Sequence, residues 1–317
     1  MHSQAQIRYD AASALHQGRR EFQEDAVVTD FPVGAGMGFA VLADGMGGHA
    51  AGDIASKIVA TEVFSELTIR TGDPDLLETE ISSVLFDAIH SANDCIRFHA
   101  ETHPDTHGMG TTLVAPVLMG ANLYWISVGD SPLYLMRQGE LVRLNQDHSM
   151  GPQIEYLVNS GAMSWEAAMN HPDRNSLTSV LIGDEIPQID CPAIPVRLRA
   201  GDIVLAASDG LQFLADEEIA EALQASAELP CTEIVGALLR CLSDLDDPDQ
   251  DNISICVIKV ESDDCVAQIG TTGTQVYEIL PAPPRKRQST TFVATASTAN
   301  ARGGKGITYR VSMEQSA

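Results

Sequence analysis

The chain has 317 residues, of which 44% are hydrophobic and 20% charged, so it can bury a large core and has an ordinary globular composition. Collagen-like, coiled-coil and wholly disordered proteins are excluded on this basis. A formal net charge of −25 repels nucleic-acid phosphates and anionic membranes, and neither is an expected partner. No apolar run approaches the roughly 18 residues of a membrane helix, and the N-terminal residues carry no secretory pattern, so we expect a cytoplasmic protein.

Periodic patterns predict alternating groups of strands and helices. Short segments rich in β-branched residues predict strands at 26–31, 38–43, 112–118, 123–128, 133–137, 203–207 and 253–260. Apolar residues at helical spacing predict helices at 51–67, 76–101, 152–160, 165–170, 217–225 and 232–245. Because the strands come in hairpin-like groups with helices between the groups, the pattern favours an α+β layered fold over a regular βαβ winding.

The composition changes near residue 261. Residues 1–260 are predicted to form one folded domain, and residues 261–317 a tail rich in Ser, Thr, Pro and Gly that is expected to be largely disordered. The tail is basic: residues 281–317 carry +5, which leaves residues 1–280 at −30. In RKRQST (285–290) hydroxyls lie beside a basic cluster, so a phosphorylated or docking segment is the alternative.

Acidic residues recur beside Gly, Ser or Asn at the ends of apolar strands. They are Asp44, Asp130, Asp209 and Asp251, with the pair Glu24 and Asp25 just ahead of the first predicted strand. Each Asp alone is typical of a turn. Carboxylates brought together from distant strands repel one another unless a cation neutralises them, and hard divalent ions take such all-oxygen ligand sets. The repeated pattern therefore predicts a Mg²⁺ or Mn²⁺ site that acts on phosphate.

Short motifs in a fixed order extend this pattern along most of the chain. They are Arg20-x-x-x-Glu24-Asp25, ADGMGGHAAG (43–52), GMGTT (108–112), VGDSPLY (128–134), DHS (147–149), RNSLTSVLIG (174–183), ASDGL (207–211) and DN (251–252). Over residues 7–260 this combination resembles the metal-dependent protein phosphatases of the 2C type, particularly bacterial members. The resemblance implies a central β-sandwich of two antiparallel sheets flanked by helices, with a binuclear metal centre at one end.

The resemblance also implies that the acidic residues hold two Mg²⁺ or Mn²⁺ ions. Asp44 would bridge the two ions. Asp209 and Asp251 would hold the first ion. The second ion would be held by the Gly45 carbonyl and, through water, by Glu24. The two cations would share a water, lower its pKa and leave a hydroxide in line with the phosphorus, so that no covalent enzyme intermediate is needed.

Three further positions have implied roles. Arg20 would bind the substrate phosphate, since a guanidinium makes two parallel charge-assisted bonds and stays protonated. Asp130, with Asp209, would form a third, weaker metal position, and Asp25 would lie just behind the ligands. The substrates would be phosphoserine and phosphothreonine in proteins, and a cognate Ser/Thr kinase would be the expected partner.

The chain departs from the family pattern at three positions. Gln23 stands where Asn is frequent, and Met46 follows Asp-Gly where many eukaryotic members have a His proposed as general acid. Pro132 stands where the motif GDSR is common, so an arginine contact near Asp130 is expected to be missing. No side chain is assigned as the acid for the leaving group, because His49 is more simply explained by packing at the start of a helix.

Two other interpretations of the whole chain remain open. A non-catalytic phosphoprotein-binding module of the same fold would have lost metal ligands or Arg20, yet all of these are present. A phosphatase of small phosphoesters would carry the same residues.

Residues 151–175 resemble a flap beside the active site, and the alternative is an ordinary pair of helices packed on the body.

Histidine and cysteine spacing predicts no further metal site. His99, His103 and His107 have a spacing that could suit zinc on a helix, but Pro104 should end that helix near His103. The six cysteines are scattered without a CxxC pair, and we expect reduced, mostly buried thiols. The glycines of DGMGGHAAG match neither nucleotide-binding loop motif.

Overall fold

The computed structural model describes residues 7–32, 35–47 and 50–262, together with the backbone of two strands at 290–301 and 304–315. The chain divides into two compact units, Met1–Ala267 and Gln268–Ala317. His49, Cys265 and residues 263–289, with the basic cluster RKR, lie outside the described residues. No helix in the described ranges is both long and apolar enough to cross a membrane.

The strands of the first unit form two antiparallel sheets. Sheet one has the order β1 (Ile7–His16), β11 (Ile253–Ser262), β10 (Ile203–Ala207), β7 (Leu133–Arg137) and β8 (Glu140–Arg143). Sheet two has the order β2 (Asp25–Asp30), β3 (Met37–Met46), β5 (Leu113–Met119), β6 (Asn122–Val128) and β9 (Val196–Arg197), and the short β4 (Gly110–Thr111) pairs with β3.

Helices cover the outer face of each sheet. Sheet two packs against α1 (Ala50–Arg70) and α2 (Pro74–Thr102). Sheet one packs against α5 (Asp216–Ser226) and α6 (Cys231–Leu245). A smaller pair, α3 (Gly151–Asn159) and α4 (Trp165–Met169), lies between β8 and β9 along the chain. The predicted α+β sandwich with helices on both faces is confirmed.

Alternating side chains on the strands build three layers of core. On β3, Phe39, Val41 and Ala43 pack against the helices. Ala40 and Leu42 point the other way, into the layer between the sheets. Strand β11 alternates in the same manner between α6 and this central layer. Where this alternation continues to the end of a strand, the next inward-facing residue lies at the edge of the layer between the sheets.

The ends of the predicted elements agree with the structure to within a few residues. Helix α2 ends at Thr102, and Pro104 begins a short 3₁₀ turn, as its missing N–H requires. The rings of His99 and His103 stack with their centroids 4.2 Å apart. The five described cysteines are free, with Cys231 and Cys256 buried and the other three half-buried.

The second unit contains two described strands. β12 (Thr290–Ala301) and β13 (Gly304–Gln315) pair as an antiparallel hairpin. The sequence indicated no strand here. The domain boundary near residue 261 and the disorder expected in the rest of the tail stay predictions.

Candidate active site

Two carboxylates lie side by side on strands β2 and β3. Asp25 pairs directly with Asp44 in the antiparallel register, and residues opposite each other in such a pair project to the same face. Asp44 continues the series of Ala40 and Leu42, which face the layer between the sheets. Both carboxylates therefore lie at one end of this layer, where Asp25 is buried and Asp44 is half-buried.

Three more carboxylates reach the same end of the sandwich. Asp209 begins the 3₁₀ turn after β10, Asp130 follows β6, and Asp251 precedes β11. The Asp209 side chain is hydrogen-bonded to Asp44 and interacts electrostatically with Asp130 and Asp251. We call Asp25, Asp44, Asp130, Asp209 and Asp251 the carboxylate cluster. The sequence predicted that these strand ends converge, and the structure brings them together.

Burial and the charges of neighbouring carboxylates raise the pKa values of four members of the cluster, namely Asp25, Asp44, Asp130 and Asp209. Burial, followed by the charges of Asp25 and Asp209, holds the pKa of Asp44 well above its usual range. Burial and then the Asp209 charge raise the pKa of Asp130 to about 7. Burial also raises the pKa of Asp25 to about 7, although the Ser208 hydroxyl donates a 2.7 Å hydrogen bond to its Oδ2.

The chemistry of the donor set fits a hard divalent cation. Every group in the carboxylate cluster offers oxygen, and a cation would relieve the repulsion that raises the pKa of Asp44. As they stand, no three His, Cys, Asp or Glu side chains among the described residues are spaced to hold an ion. Two contacts use oxygens that an ion would take, namely the Asp44–Asp209 hydrogen bond and an ion pair between Arg20 and Asp251.

Arg20 lies at the rim of the carboxylate cluster. Its side chain is 57% exposed, and its Nη2 is 2.5 Å from Oδ2 of Asp251. Asn252 anchors the loop that carries it, accepting a 2.7 Å hydrogen bond from the Glu24 amide and donating a 3.0 Å bond to the Phe22 carbonyl. The arginine predicted to bind phosphate is therefore next to the carboxylates and open to solvent.

Two glycines let the loops of the site pack backbone against backbone. A Cβ on Gly45 would lie 2.1 Å from the Gly52 carbonyl oxygen and 2.6 Å from that of Glu24, and the Gly45 amide donates to the Glu24 carbonyl at 3.1 Å. A Cβ on Gly210 would lie 1.9 Å from the Asn252 carbonyl oxygen. The Asp-Gly pairs thus hold neighbouring acidic loops closer together than any other residue allows.

A cleft of about 670 Å³ opens beside Asp130 and Asp209. Residues of α3 and α4 also line the cleft, among them Trp165, which is 67% exposed, and Met169; Arg174, which follows α4, lines it too. Ile154 of α3 and Ala168 of α4 line the cleft as well and are buried. Segment 151–175 therefore contains a pair of helices that borders the acidic site, and its role as a flap stays a prediction.

Arg143 was not among the predicted site residues, and the expectation that no arginine contacts the Asp130 loop was wrong. Arg143 Nη2 donates a 2.6 Å hydrogen bond to the Asp130 carbonyl, and Nη1 lies 3.2 Å from Oδ2 of Asp147. An arginine therefore reaches this loop from β8, although Pro132 occupies the position of the arginine in the family motif GDSR. Strand β8, which carries Arg143, has no continuous apolar run, so no pattern in the sequence pointed to this contact.

Bacterial phosphatases are among the solved structures with this fold. A crystal structure of the Mycobacterium tuberculosis serine/threonine phosphatase PstP/Ppp has a TM-score of 0.66 and 32% identity, covering 81% of this chain and 99% of its own. Stp1 from Staphylococcus aureus has a TM-score of 0.67 and 27% identity, covering 82% of this chain and 98% of its own. A structure of the PstP catalytic domain in complex with two manganese ions has a TM-score of 0.62 and 32% identity, covering 80% of this chain and 99% of its own.

A family model described as protein phosphatase 2C matches residues 13–250. The chain belongs to this family, as the motifs indicated. The serine/threonine protein phosphatase PstP of Mycobacterium tuberculosis is 38% identical over 192 residues, which are 60% of this chain and 35% of PstP. The phosphatase stp of Listeria monocytogenes is 35% identical over 193 residues, 60% of this chain and 73% of the relative. The match thus spans about a third of the length of PstP.

Proposed function

We propose that this chain is a Mg²⁺- or Mn²⁺-dependent protein phosphatase that hydrolyses phosphoserine and phosphothreonine. The relatives at 35% to 38% identity are named as serine/threonine phosphatases, which supports this class of substrate. The observation that carries the proposal is the carboxylate cluster itself. Burying several carboxylates against one another costs free energy, and bound cations offset that cost while giving the site a function.

The proposed ligands of two ions are Asp44 between them, Asp209 and Asp251 on one side, and the Gly45 carbonyl and, through water, Glu24 on the other. When bound, the ions neutralise the cluster, polarise the phosphoryl group and lower the pKa of a water towards neutrality so that it can attack phosphorus. Without them the carboxylates repel a phosphoester. Asp130 and Asp209 are the proposed ligands of a third, weaker ion.

The chain's own residues then bind and orient the substrate. Arg20 would exchange its contact with Asp251 for the phosphoryl oxygens, where its planar fork can donate two parallel hydrogen bonds. Its exposed position at the rim lets it meet a phosphate entering from solvent. Asp25, fixed by the Ser208 hydroxyl at 2.7 Å, would hold the adjacent Asp44 in place from behind.

Hydrolysis of a phosphothreonine peptide and of an aryl phosphate, each with Mn²⁺ and with excess EDTA, tests this function. We expect phosphate release from both substrates with Mn²⁺ and none with EDTA. A non-catalytic binding module would bind the peptide without releasing phosphate, and a phosphatase of small phosphoesters would cleave only the aryl substrate. Equal rates with Mn²⁺ and with EDTA would refute the metal-dependent reaction.

The proposed setting is cytoplasmic signalling by protein phosphorylation. A phosphatase of this class removes phosphate that a Ser/Thr kinase has added, so a cognate kinase is the proposed partner. Incubating the chain with proteins that such a kinase has labelled with ³²P tests this role. We expect Mn²⁺-dependent loss of label, and retention of all label would argue against it.

A further inference from the structure

Arg143 contacts two acidic loops of the cleft at once. It ends strand β8, and its side chain is only 21% exposed. One arm of the guanidinium donates to the Asp130 carbonyl at 2.6 Å, and the other lies 3.2 Å from the Asp147 carboxylate. The Ser149 amide donates to the second oxygen of Asp147 at 3.0 Å. Both Asp130 and Asp147 line the cleft.

The turn that follows Asp130 is held from the same side. Asn145, two residues beyond Arg143, accepts a 2.8 Å hydrogen bond from the Leu133 amide and donates a 2.9 Å bond to the Ser131 carbonyl. The hydroxyl of Ser131 is 2.7 Å from that of Thr112. The segment after β8 therefore fixes the backbone of residues 130–133.

Hydrogen bonds continue from this turn to the centre of the carboxylate cluster. The Thr112 hydroxyl accepts a 3.2 Å hydrogen bond from the Asp44 amide, so the turn and strand β3 share a partner. If the Asp130 carbonyl moved, the turn at 130–133 would lose one of the contacts that hold it in this hydrogen-bonded network. Arg143 supplies the charged contact to that carbonyl.

We propose that Arg143 is a positioning residue that fixes Asp130 so that its carboxylate can hold the weakest of the divalent cations. The inference rests on the proposed function, since it concerns the same site. A guanidinium suits the task because its planar fork donates to a carbonyl and a carboxylate together, whereas a lysine ammonium is a single point charge on a flexible stem. Groups that orient a metal ligand typically change metal affinity by about 10- to 100-fold when they are replaced.

Arg137 offers a matched control on the neighbouring strand β7. It also binds one carboxylate and one carbonyl, donating to both oxygens of Asp202, at 2.9 and 2.6 Å, and to the Arg197 carbonyl at 2.7 Å. It does not line the cleft. Replacing it removes a contact of the same type, so a change common to both arginine variants would be structural.

Calorimetric titration of Mn²⁺ into the metal-stripped full chain tests the inference. For Arg143→Lys we expect the weakest Mn²⁺ step to weaken about tenfold or more while the tighter steps change little. Arg137→Lys should leave every step unchanged. The Mn²⁺ concentration for half-maximal peptide hydrolysis should rise in Arg143→Lys only, and the KM for the peptide at saturating Mn²⁺ should not.

The inference is overturned if the weakest step of Arg143→Lys matches the original chain, or if the original chain binds only two ions. Arg143→Gln, which still donates to one acceptor, gives a second test if the lysine variant does not fold, with the same weakening expected. An Arg143-dependent Mn²⁺ step in a chain without phosphatase activity would refute the proposed function and leave this inference standing. Full phosphatase activity of the original chain, with Mn²⁺ steps that are unchanged in Arg143→Lys, would refute this inference and leave the proposed function standing.

Discussion

The side chain of Asp44, from one sheet, is hydrogen-bonded to that of Asp209, which follows a strand of the other sheet. Neither carboxylate meets the other unless the two sheets are stacked. The site therefore forms only when both sheets of the sandwich are stacked correctly. Each residue of the pair can be tested by an isosteric amide.

Replacing either member of this pair by Asn should abolish metal-dependent hydrolysis while sparing the fold. An amide keeps a hydrogen bond to the remaining carboxylate but is a poor ligand for a hard cation. We expect kcat with Mn²⁺ to fall at least about 100-fold in Asp44→Asn and Asp209→Asn. Thermal midpoints in EDTA should be no lower than that of the original chain, because the amide removes one of the mutually repelling carboxylates.

The control for these variants is Asp94→Asn. Asp94 forms an exposed ion pair with Arg97 on α2, and such surface pairs contribute little. Its replacement should leave the rate of phosphate release unchanged. Near-normal turnover in Asp44→Asn would contradict the proposed site.

Replacing Arg20 or its neighbour Arg19 should distinguish a specific phosphate contact from a general effect of positive charge. Arg20 contacts Asp251 of the cluster, whereas Arg19 pairs with Asp246 away from it. We expect Arg20→Ala to raise the KM for a phosphothreonine peptide about tenfold or more, since a charge-assisted contact to phosphate is lost. Arg19→Ala should leave KM unchanged. Steady-state kinetics at saturating Mn²⁺ measures the KM of both variants. Equal changes in KM would argue against a specific role for Arg20.

The metal-free protein should lose stability as the pH rises. Asp25 and Asp130 have pKa values raised to about 7 in the folded chain, against about 4 when unfolded. Between these values the folded state binds more protons than the unfolded state, so the free energy of unfolding falls with increasing pH and levels off above about 7.

Thermal midpoints in EDTA between pH 5 and 8.5 measure this effect. We expect them to fall with pH, to fall less in Asp130→Asn, and to recover when Mn²⁺ is added. A midpoint in EDTA that rises steadily up to pH 8 would show that the cluster is not protonated as described.

Two glycine variants should differ because of their surroundings. A Cβ on Gly210 would lie 1.9 Å from the Asn252 carbonyl oxygen, whereas a Cβ on Gly72 would come no closer than 3.8 Å to its neighbour, the Ile69 carbonyl oxygen. We expect Gly210→Ala to destabilise the fold by about 1–3 kcal/mol, because backbone must shift, and to weaken Mn²⁺ binding. Gly72→Ala should be close to neutral in urea unfolding. Similar stabilities for the two would contradict the close packing of the acidic loops.

The convergence of the acidic strand ends was predictable from sequence, but both edge strands of sheet one were not. β1 and β8 lie at its two edges. Their residues are mostly half-buried or exposed, so neither has the continuous apolar run that marked the central strands. Missing β8 also hid Arg143, because its approach to Asp130 depends on the pairing of β7 with β8.

Contacts within the carboxylate cluster were beyond the reach of sequence patterns for another reason. The motifs indicated which residues converge but not which of them hydrogen-bond. Whether Asp44 meets Asp209 or Asp130, and whether Arg20 lies on Asp251, depends on distances of a few ångströms set by the stacking of the sheets. The sequence shows Gly45 and Gly210 directly after Asp44 and Asp209, while the close approach of neighbouring carbonyls that requires glycine became visible only in three dimensions.

Anomalous diffraction at the manganese edge, from crystals of the full chain grown with Mn²⁺, tests the central claim most directly. We predict two strong peaks on either side of the Asp44 carboxylate, one of them also in contact with Asp209 and Asp251. Manganese peaks only elsewhere on the molecule, with Asp44 still bonded to Asp209, would contradict it.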